Sequence, residues 1–355
     1  MRFFRHAGLG WASAAVLAMG IAAAGSDVGA QDLSKLYEAA KKEGKVTVYT
    51  DLPAEFIQQV SESFKKKYAG IEFDFFRGDT TQIMTRIDSE TAANRHAVDI
   101  VSTTSNRSSD LAQKGWLAEY KSEVAKSYPK DSQPEHGLWY NYALNTTSWA
   151  YNSKLVKAED APKTFNDLLD PKWKGKIGIQ DPKSGGGGAH TWIMAYHRAY
   201  GEDKWKDFMG KLGKQIGRYG TYVPLQEALA AGEILIHMAA YPDFIEPLKQ
   251  KGAPVEWVVP AAPDYMLFLG LTLQINKNAP HPNAGRLVLE HMLSSEVQKI
   301  LSTTGRIPAK PEDRPDAFKR FAQGRLVDTG YDTIYAKRDK AWFDTEIKPL
   351  FAPPQ

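Results

Sequence analysis

The sequence predicts an α/β protein of two lobes, each a mainly parallel sheet flanked by helices. Three observations carry this expectation. The chain has 355 residues, more than one hydrophobic core usually organises. Short apolar runs with strand character alternate with helix-like runs from residue 33 onward, the pattern of a parallel sheet with helices on its faces. That rhythm breaks after Gly137, where extended aromatic runs follow one another with no helix between them. Composition agrees: 43% hydrophobic and 25% charged residues are close to the globular average and exclude a disordered, collagen-like or coiled-coil chain. The formal net charge of +3 is spread without a long basic run, so no nucleic-acid groove is expected. With no cysteine, disulfides, iron–sulfur ligation, thiolate zinc and cysteine nucleophiles are ruled out.

The first thirty residues read as a secretory signal peptide. Arg2 and Arg5 precede an apolar run over residues 7–24, and small residues follow up to Ala30. A membrane anchor is the alternative, but the run is built of Ala and Gly rather than Leu and Ile, and its transfer energy is modest. An amphipathic helix is predicted over 33–42 and a buried strand over 46–50. After Pro53 a helix presents Phe56, Ile57, Val60 and Phe64 on one face. A strand over 71–76, a helix over 80–93 and a strand over 98–101 complete the first set. The extended runs 139–144 and 149–151 come next, followed by a strand over 176–179, a helix after Gly188 and a strand over 234–238. A last apolar strand over 267–275 precedes helices between 281 and 301. Strands near 142–150 and 268–276 are expected to cross between the lobes. The first lobe then comprises 31–143 and 272–310 and the second 144–271, with 311–355 a C-terminal helical segment packed on them.

No enzyme motif emerges: there is no G-x-S-x-G, H-E-x-x-H, P-loop or G-x-G-x-x-G after a strand. His190 and His197 are seven apart on one helix, too far for one metal without intervening ligands. Helix starts placed directly after strands are plentiful instead. They occur at Asp79-Thr80-Thr81, at Ser102-Thr103-Thr104-Ser105, after the four glycines 185–188, and at Gly220-Thr221-Tyr222. Such starts carry unpaired N–H groups at a positive dipole end, and several facing one cleft would hold a small anion. Ordinary capping by Ser, Thr and Asp is the plainer explanation for any one of them. Tyr241 follows a strand, a ligand position in open α/β sheets. The run Trp139, Tyr140, Tyr142 reads as hinge packing, and Arg218 as a solvated charge or a bidentate anion clamp.

At this point the chain resembles the bacterial family 1 extracellular solute-binding proteins, the receptors of ABC importers, and within them the ferric-ion-binding branch. The resemblance rests on the order and spacing of Val46-Thr47-Val48-Tyr49-Thr50, Gly115-Trp116-Leu117, Tyr151-Asn152-Ser153-Lys154-Leu155, Pro171-Lys172-Trp173, Gly232-Glu233, Asn276-Lys277-Asn278-Ala279-Pro280 and Gly305-Arg306-Ile307-Pro308. It implies a two-lobed type II periplasmic binding fold that closes by a hinge on a ligand, a permease partner in the inner membrane and a periplasmic location. In the ferric branch two adjacent tyrosines hold the iron. Here Gly232-Glu233 leads to Tyr241 followed by Pro242, and the first-lobe loop Thr50-Asp51-Leu52-Pro53 has no His. The expected ligand is therefore a small, anionic solute, with ferric ion held by Tyr241 the alternative and an exported enzyme on the same scaffold the reading from another class. The contacts expected are Thr50, Asp51, Asp79, Thr80, Thr81, Thr103 and Thr104 opposite Ser184, Gly185, Gly186, His190, Thr191, Tyr222 and Tyr241. No catalytic residue and no cofactor are expected, ferric ion entering only as cargo, and the chain is expected to be a monomer that binds no nucleic acid.

Overall fold

The computed structural model describes residues 24–130, 133–134, 136–182, 187–304, 306–323, 325–328, 345–346 and 348–351. The first set of elements follows the predicted order. Helix α1 (Ala24–Glu43) ends at Gly44, whose φ of +72° is the left-handed conformation that glycine tolerates at a helix end. Strand β1 (Lys45–Thr50), helix α2 (Ala54–Lys67), strand β2 (Glu72–Arg77), helix α3 (Thr80–Ala92), strand β3 (Ile100–Thr104) and helix α4 (Ser105–Gln113) come next. The predicted apolar face of α2 is buried. β3 differs from expectation, starting two residues and ending three residues later than 98–101. Its last residues gain ladder partners, Thr103 opposite Thr272 and Thr104 opposite Leu271, and that pairing extends the strand past the apolar run that announced it.

A single strand, β4 (Tyr140–Asn152), replaces the two extended runs. Beyond it lie β5 (Ile177–Gln180), α5 (Gly187–Tyr200), α6 (Glu202–Gly213), β6 (Ile216–Gly220), α7 (Tyr222–Ala231), β7 (Ile236–Ala240), α8 (Pro242–Gln250), β8 (Val255–Trp257) and β9 (Tyr265–Ile275). Helices α9 (Pro282–Leu293) and α10 (Ser295–Thr303) follow, then β10 (Ile307–Pro308), α11 (Asp316–Lys319) and β11 (Arg325–Asp328). Of these, α6, α8, β8 and β10 have no counterpart in the sequence reading. The segment after 311 is not wholly helical: β11 pairs in parallel with Tyr265–Phe268 of β9. At those residues β9 has run past the end of β3, and its open edge offers unpaired N–H and C=O groups to the returning chain.

The strand order is β2-β1-β3-β9-β4-β7-β5-β6. β2, β1 and β3 are parallel, as are β7, β5 and β6, while β9 and β4 are antiparallel to each other and to the strands beside them. The two long strands run through both parallel sets. Gly270 is required where they pass: a Cβ there would lie 1.9 Å from Asn141 Oδ1. One core gathers α2, α9 and β1 with the faces of α7 and α8. A second is aromatic, with Trp149, Phe165, Trp192 and Trp205 at its centre. Among the described residues no helix is long and apolar enough to cross a membrane.

Candidate functional site

Register fixes where the two parallel sets meet. Thr104, the last residue of β3, is level with Leu271 and through it with Ala143 of β4. Ala240, the last residue of β7, lies opposite Ser148 of the same strand. β3 and β7 point in opposite directions, so the carboxyl ends of both sets face one another across five residues of β4, roughly 16 Å at strand rise. Ligands of open α/β sheets bind beyond such strand ends. Residues 143–148 of β4 are therefore the floor of the candidate site. Two polar atoms of that floor, Asn145 Oδ1 and Thr146 Oγ1, are buried without a hydrogen-bond partner.

On the β1–β3 side the groups are largely committed to one another. Thr50 Oγ1 accepts from the Leu52 N–H at 3.1 Å. Asp51, directly after β1, accepts from Thr80 Oγ1 at 3.1 Å. Burial raises the Asp51 carboxyl above its ordinary range, against the lowering effects of that hydrogen bond, its own N–H, Arg306 and Arg77. Asp79 caps α3, exchanging hydrogen bonds with Gln82 in a capping box, and Thr81 is exposed beside it. Thr104 donates to Asn106 at 2.6 Å, and Ser102 shares a hydrogen bond of 3.1 Å with the buried Tyr142 hydroxyl. Thr103 does not sit at an open helix start. It lies inside β3, fully buried, because the strand continues to Thr104.

On the opposite side Tyr222 begins α7 and Tyr241 caps α8. The Tyr241 N–H donates to the Tyr222 hydroxyl at 2.9 Å, and the two rings lie 5.3 Å apart. Burial, then the nearby Asp243 carboxylate, pushes the Tyr241 phenol up to about 12, while burial also raises Tyr222. Beneath Tyr222 lies His237, fully buried with neither ring nitrogen partnered, and burial lowers it to about 3, leaving a neutral imidazole. His190 and Thr191 fall in the first turns of α5, whose Ala189 N–H donates to Gln180 Oε1 at 3.2 Å. Ser184, Gly185 and Gly186 lie outside the described residues. Arg218 is engaged by Glu233 in an ion pair. His197, the other histidine of α5, bonds Glu202 at 2.7 Å.

Two charged residues absent from the sequence-derived candidates complete the site, one on the floor and one at the start of α8. β10 pairs antiparallel with β4, Ile307 opposite Leu144 and Pro308 opposite Ala143. Continued by one residue, that register sets Arg306 level with Asn145, in the middle of the floor. Its Nη1 is 3.7 Å from Asp243 Oδ2 in the first turn of α8. Its charge also acts on Asp51, Tyr142 and Tyr241. Asp243 is almost completely buried, its other oxygen has no partner, and burial raises it to about 6 against the pull of Arg306. Nothing in the spacing of the sequence singled out Arg306 within Gly305-Arg306-Ile307-Pro308; the available signal was only that a charge interrupts an otherwise apolar turn. Among the described residues no group of three or more Asp, Glu or His could hold a metal ion.

A profile of the bacterial extracellular solute-binding proteins matches residues 59–320. A putative 2-aminoethylphosphonate-binding periplasmic protein of Salmonella typhimurium is 26% identical over 278 residues, covering 73% of this chain and 77% of that protein. The structure of Trichodesmium IdiA (FutA) with iron and citrate superposes with a TM-score of 0.74 at 21% identity, covering 86% of this chain and 99% of that one. Periplasmic binding protein AfuA from Actinobacillus pleuropneumoniae, with fructose-6-phosphate bound, gives 0.64 at 23% identity over 86% and 99%. These likenesses identify the two-lobed type II periplasmic binding fold.

Proposed function

The chain belongs to the bacterial extracellular solute-binding proteins, and from that premise we propose that it captures a small anionic solute over β4 residues 143–148 and hands it to an ABC permease of the inner membrane. The single observation that supports the anion is Arg306, a cation on the cleft floor between the two facing sets of strand ends. A guanidinium binds phosphonate, phosphate or carboxylate through paired N–H donors, and the helix starts at Thr80, Tyr222 and Pro242 add dipole ends of the same sign. The relative from Salmonella typhimurium is named for a phosphonate and AfuA carries a sugar phosphate, both oxyanions.

Closure follows from contacts made to both sides. β4, β9 and the segment through β10 are the connections that absorb the rotation, and a solute touching both sides favours the closed arrangement by its differential affinity. Thr50, Asp51, Thr80, Thr81 and Thr104 on one side and Ser184, Gly185, Gly186, His190, Thr191, Tyr222 and Tyr241 on the other form the contacts of this reading, with Asp79 capping α3 and Thr103 buried in β3. The protein acts in the periplasm as a monomer, after removal of residues 1–30, and performs no catalysis.

A thermal-shift screen of the exported chain against phosphonates, phosphates, carboxylates, amino acids and ferric citrate tests the reading. A true ligand at 100 times its Kd adds about 2.7 kcal/mol of stability. A shift by an oxyanion supports the proposal. Intense visible absorption with ferric citrate, lost in Tyr241→Phe, replaces it with ferric transport, and turnover of an ester or phosphate replaces it with an enzyme.

A further inference from the structure

The place of Arg306 depends on a very short strand. β10 pairs only Ile307 and Pro308 with β4, and Pro308 has no N–H to give to the ladder. One further backbone bond follows, from the Ala309 N–H to the Tyr142 carbonyl at 3.1 Å. Such a strand is shorter than most, and its ladder alone holds the chain weakly. The ion pair does not fix the guanidinium either: 3.7 Å to Asp243 is beyond hydrogen-bond length, and the Arg306 side chain is partly open to solvent.

A second arginine supplies the restraint. Arg314 is only 4% exposed, and its fork spans two consecutive carbonyls. Nε donates to Pro308 at 2.9 Å and Nη2 to Ala309 at 3.1 Å. The 3-10 turn Pro311–Asp313 brings Arg314 back over the strand, and Ser302 of α10 donates to the Asp313 carbonyl at 2.9 Å, tying that turn down. Burying a guanidinium is expensive, and an apolar side chain of the same volume would fill the space at less cost. What arginine alone offers is a rigid fork, two donors at fixed spacing for two acceptors.

We infer that Arg314 is a positioning residue of the anion site: by clamping the Pro308 and Ala309 carbonyls it holds β10 on β4 and so sets where the Arg306 guanidinium meets the solute. This rests on the anion-receptor reading and adds to it a residue that stays out of contact with the solute. The clamped carbonyls lie six and five residues before Arg314. The clamp is therefore local, and it moves with β10 as one piece when the two sides rotate.

A double-mutant cycle read by calorimetry tests this, with 2-aminoethylphosphonate, fructose-6-phosphate and inorganic phosphate as probes. Arg314→Lys keeps the charge and loses the fork; Arg314→Gln loses the charge as well. Each is expected to weaken binding of the probe that the wild-type chain takes up by about tenfold. In the Arg306→Ala chain the same substitutions should change affinity by about twofold or less, because nothing is left to position. Where Arg306→Ala binds too weakly to measure, Arg306→Lys takes its place. The loss should shrink there too, since a point charge depends less on exact placement. Circular dichroism establishes that each variant is folded. Full affinity in the folded Arg314 variants, or an equal loss with and without Arg306, overturns the inference while leaving an anion receptor standing. So does full affinity in Arg314→Lys alone, which would assign the effect to charge rather than to the fork. Loss of folding in both variants assigns the side chain to general stability and overturns it as well. Binding of no probe by the wild-type chain, or binding that Arg306→Ala leaves unchanged, overturns the anion reading together with the inference.

Discussion

The two banks of the cleft are built from the same parts, parallel strands ending at helix starts, yet they differ in how far their polar groups are satisfied. On the β1–β3 bank Asp51 has Thr80, Asp79 has Gln82, Thr104 has Asn106 and Ser102 has Tyr142. Thr103 Oγ1, hidden within β3, and Gln274 Nε2 of β9 opposite Val101 are left without partners there. On the β5–β7 bank Asp243 Oδ1, both nitrogens of His237 and the Tyr219 hydroxyl are buried without partners. On the first bank the polar groups at the strand ends and helix starts are engaged with one another; on the second, buried groups at and behind the strand ends keep unmet hydrogen-bonding capacity. Rigid, satisfied groups position a ligand, whereas unsatisfied ones select it, because only a ligand with matching groups relieves their cost.

The sharpest way to break this contrast is at the residue between the banks. Arg306→Ala is expected to weaken binding of the anionic solute by about 100-fold, the worth of a charge-assisted hydrogen-bonded contact, as read by calorimetry. Unchanged affinity would show that the cation of the floor plays no part.

Next in size is the cost carried by Asp243. Burial lifts this acid from 3.8 to about 6, so the folded chain holds a proton there that the unfolded chain releases. Stability therefore falls as pH rises between about 4 and 6, and the full penalty, roughly 2–3 kcal/mol, is present above that window. Asp243→Asn removes it. The variant should melt higher than wild type at pH 7.5, by an increment that vanishes below about pH 4. Asp51→Asn should gain less, since its Thr80 hydrogen bond already offsets part of the burial term. A larger gain at Asp51 than at Asp243 would reverse the assignment of the strained bank.

Smaller effects test the satisfied bank. Thr80→Val removes the donor to Asp51 and should cost about 1 kcal/mol in urea unfolding. Asp79→Ala deletes the α3 cap and its capping box, a loss of about 1 kcal/mol or less at so exposed a position. Loss of neither would mean that this bank is held by packing alone.

Much of the fold was legible because each strand of the parallel sets is a short apolar run between turn residues, and because α2 shows its buried stripe as Phe56, Ile57, Val60 and Phe64. The ends of β3 were misjudged because Ser102, Thr103 and Thr104 owe their strand conformation to β9, some 170 residues away. β11 was missed for the same reason: an open edge of β9, not its own sequence, makes Arg325–Asp328 a strand. Within the candidate site, the positions of Thr50, Asp51, Thr80, Tyr222 and Tyr241 at strand ends and helix starts were legible in the sequence. Arg306 and Asp243 were not, since the meaning of each is the other, 63 positions apart and brought together only by the pairing of β10 with β4.

The central claim, a solute held between facing strand ends by a cation on the hinge, is tested most directly by a distance. The chain has no cysteine, so a pair introduced at the exposed Thr85 and Glu227, on α3 and α7, can be spin-labelled cleanly. The distance between the labels should shorten on addition of the oxyanion chosen by the thermal screen, and should stay put when Arg306→Ala is present in the same chain. A saturating solute that leaves the two labels as far apart as before, or that draws them together equally without Arg306, would contradict the account.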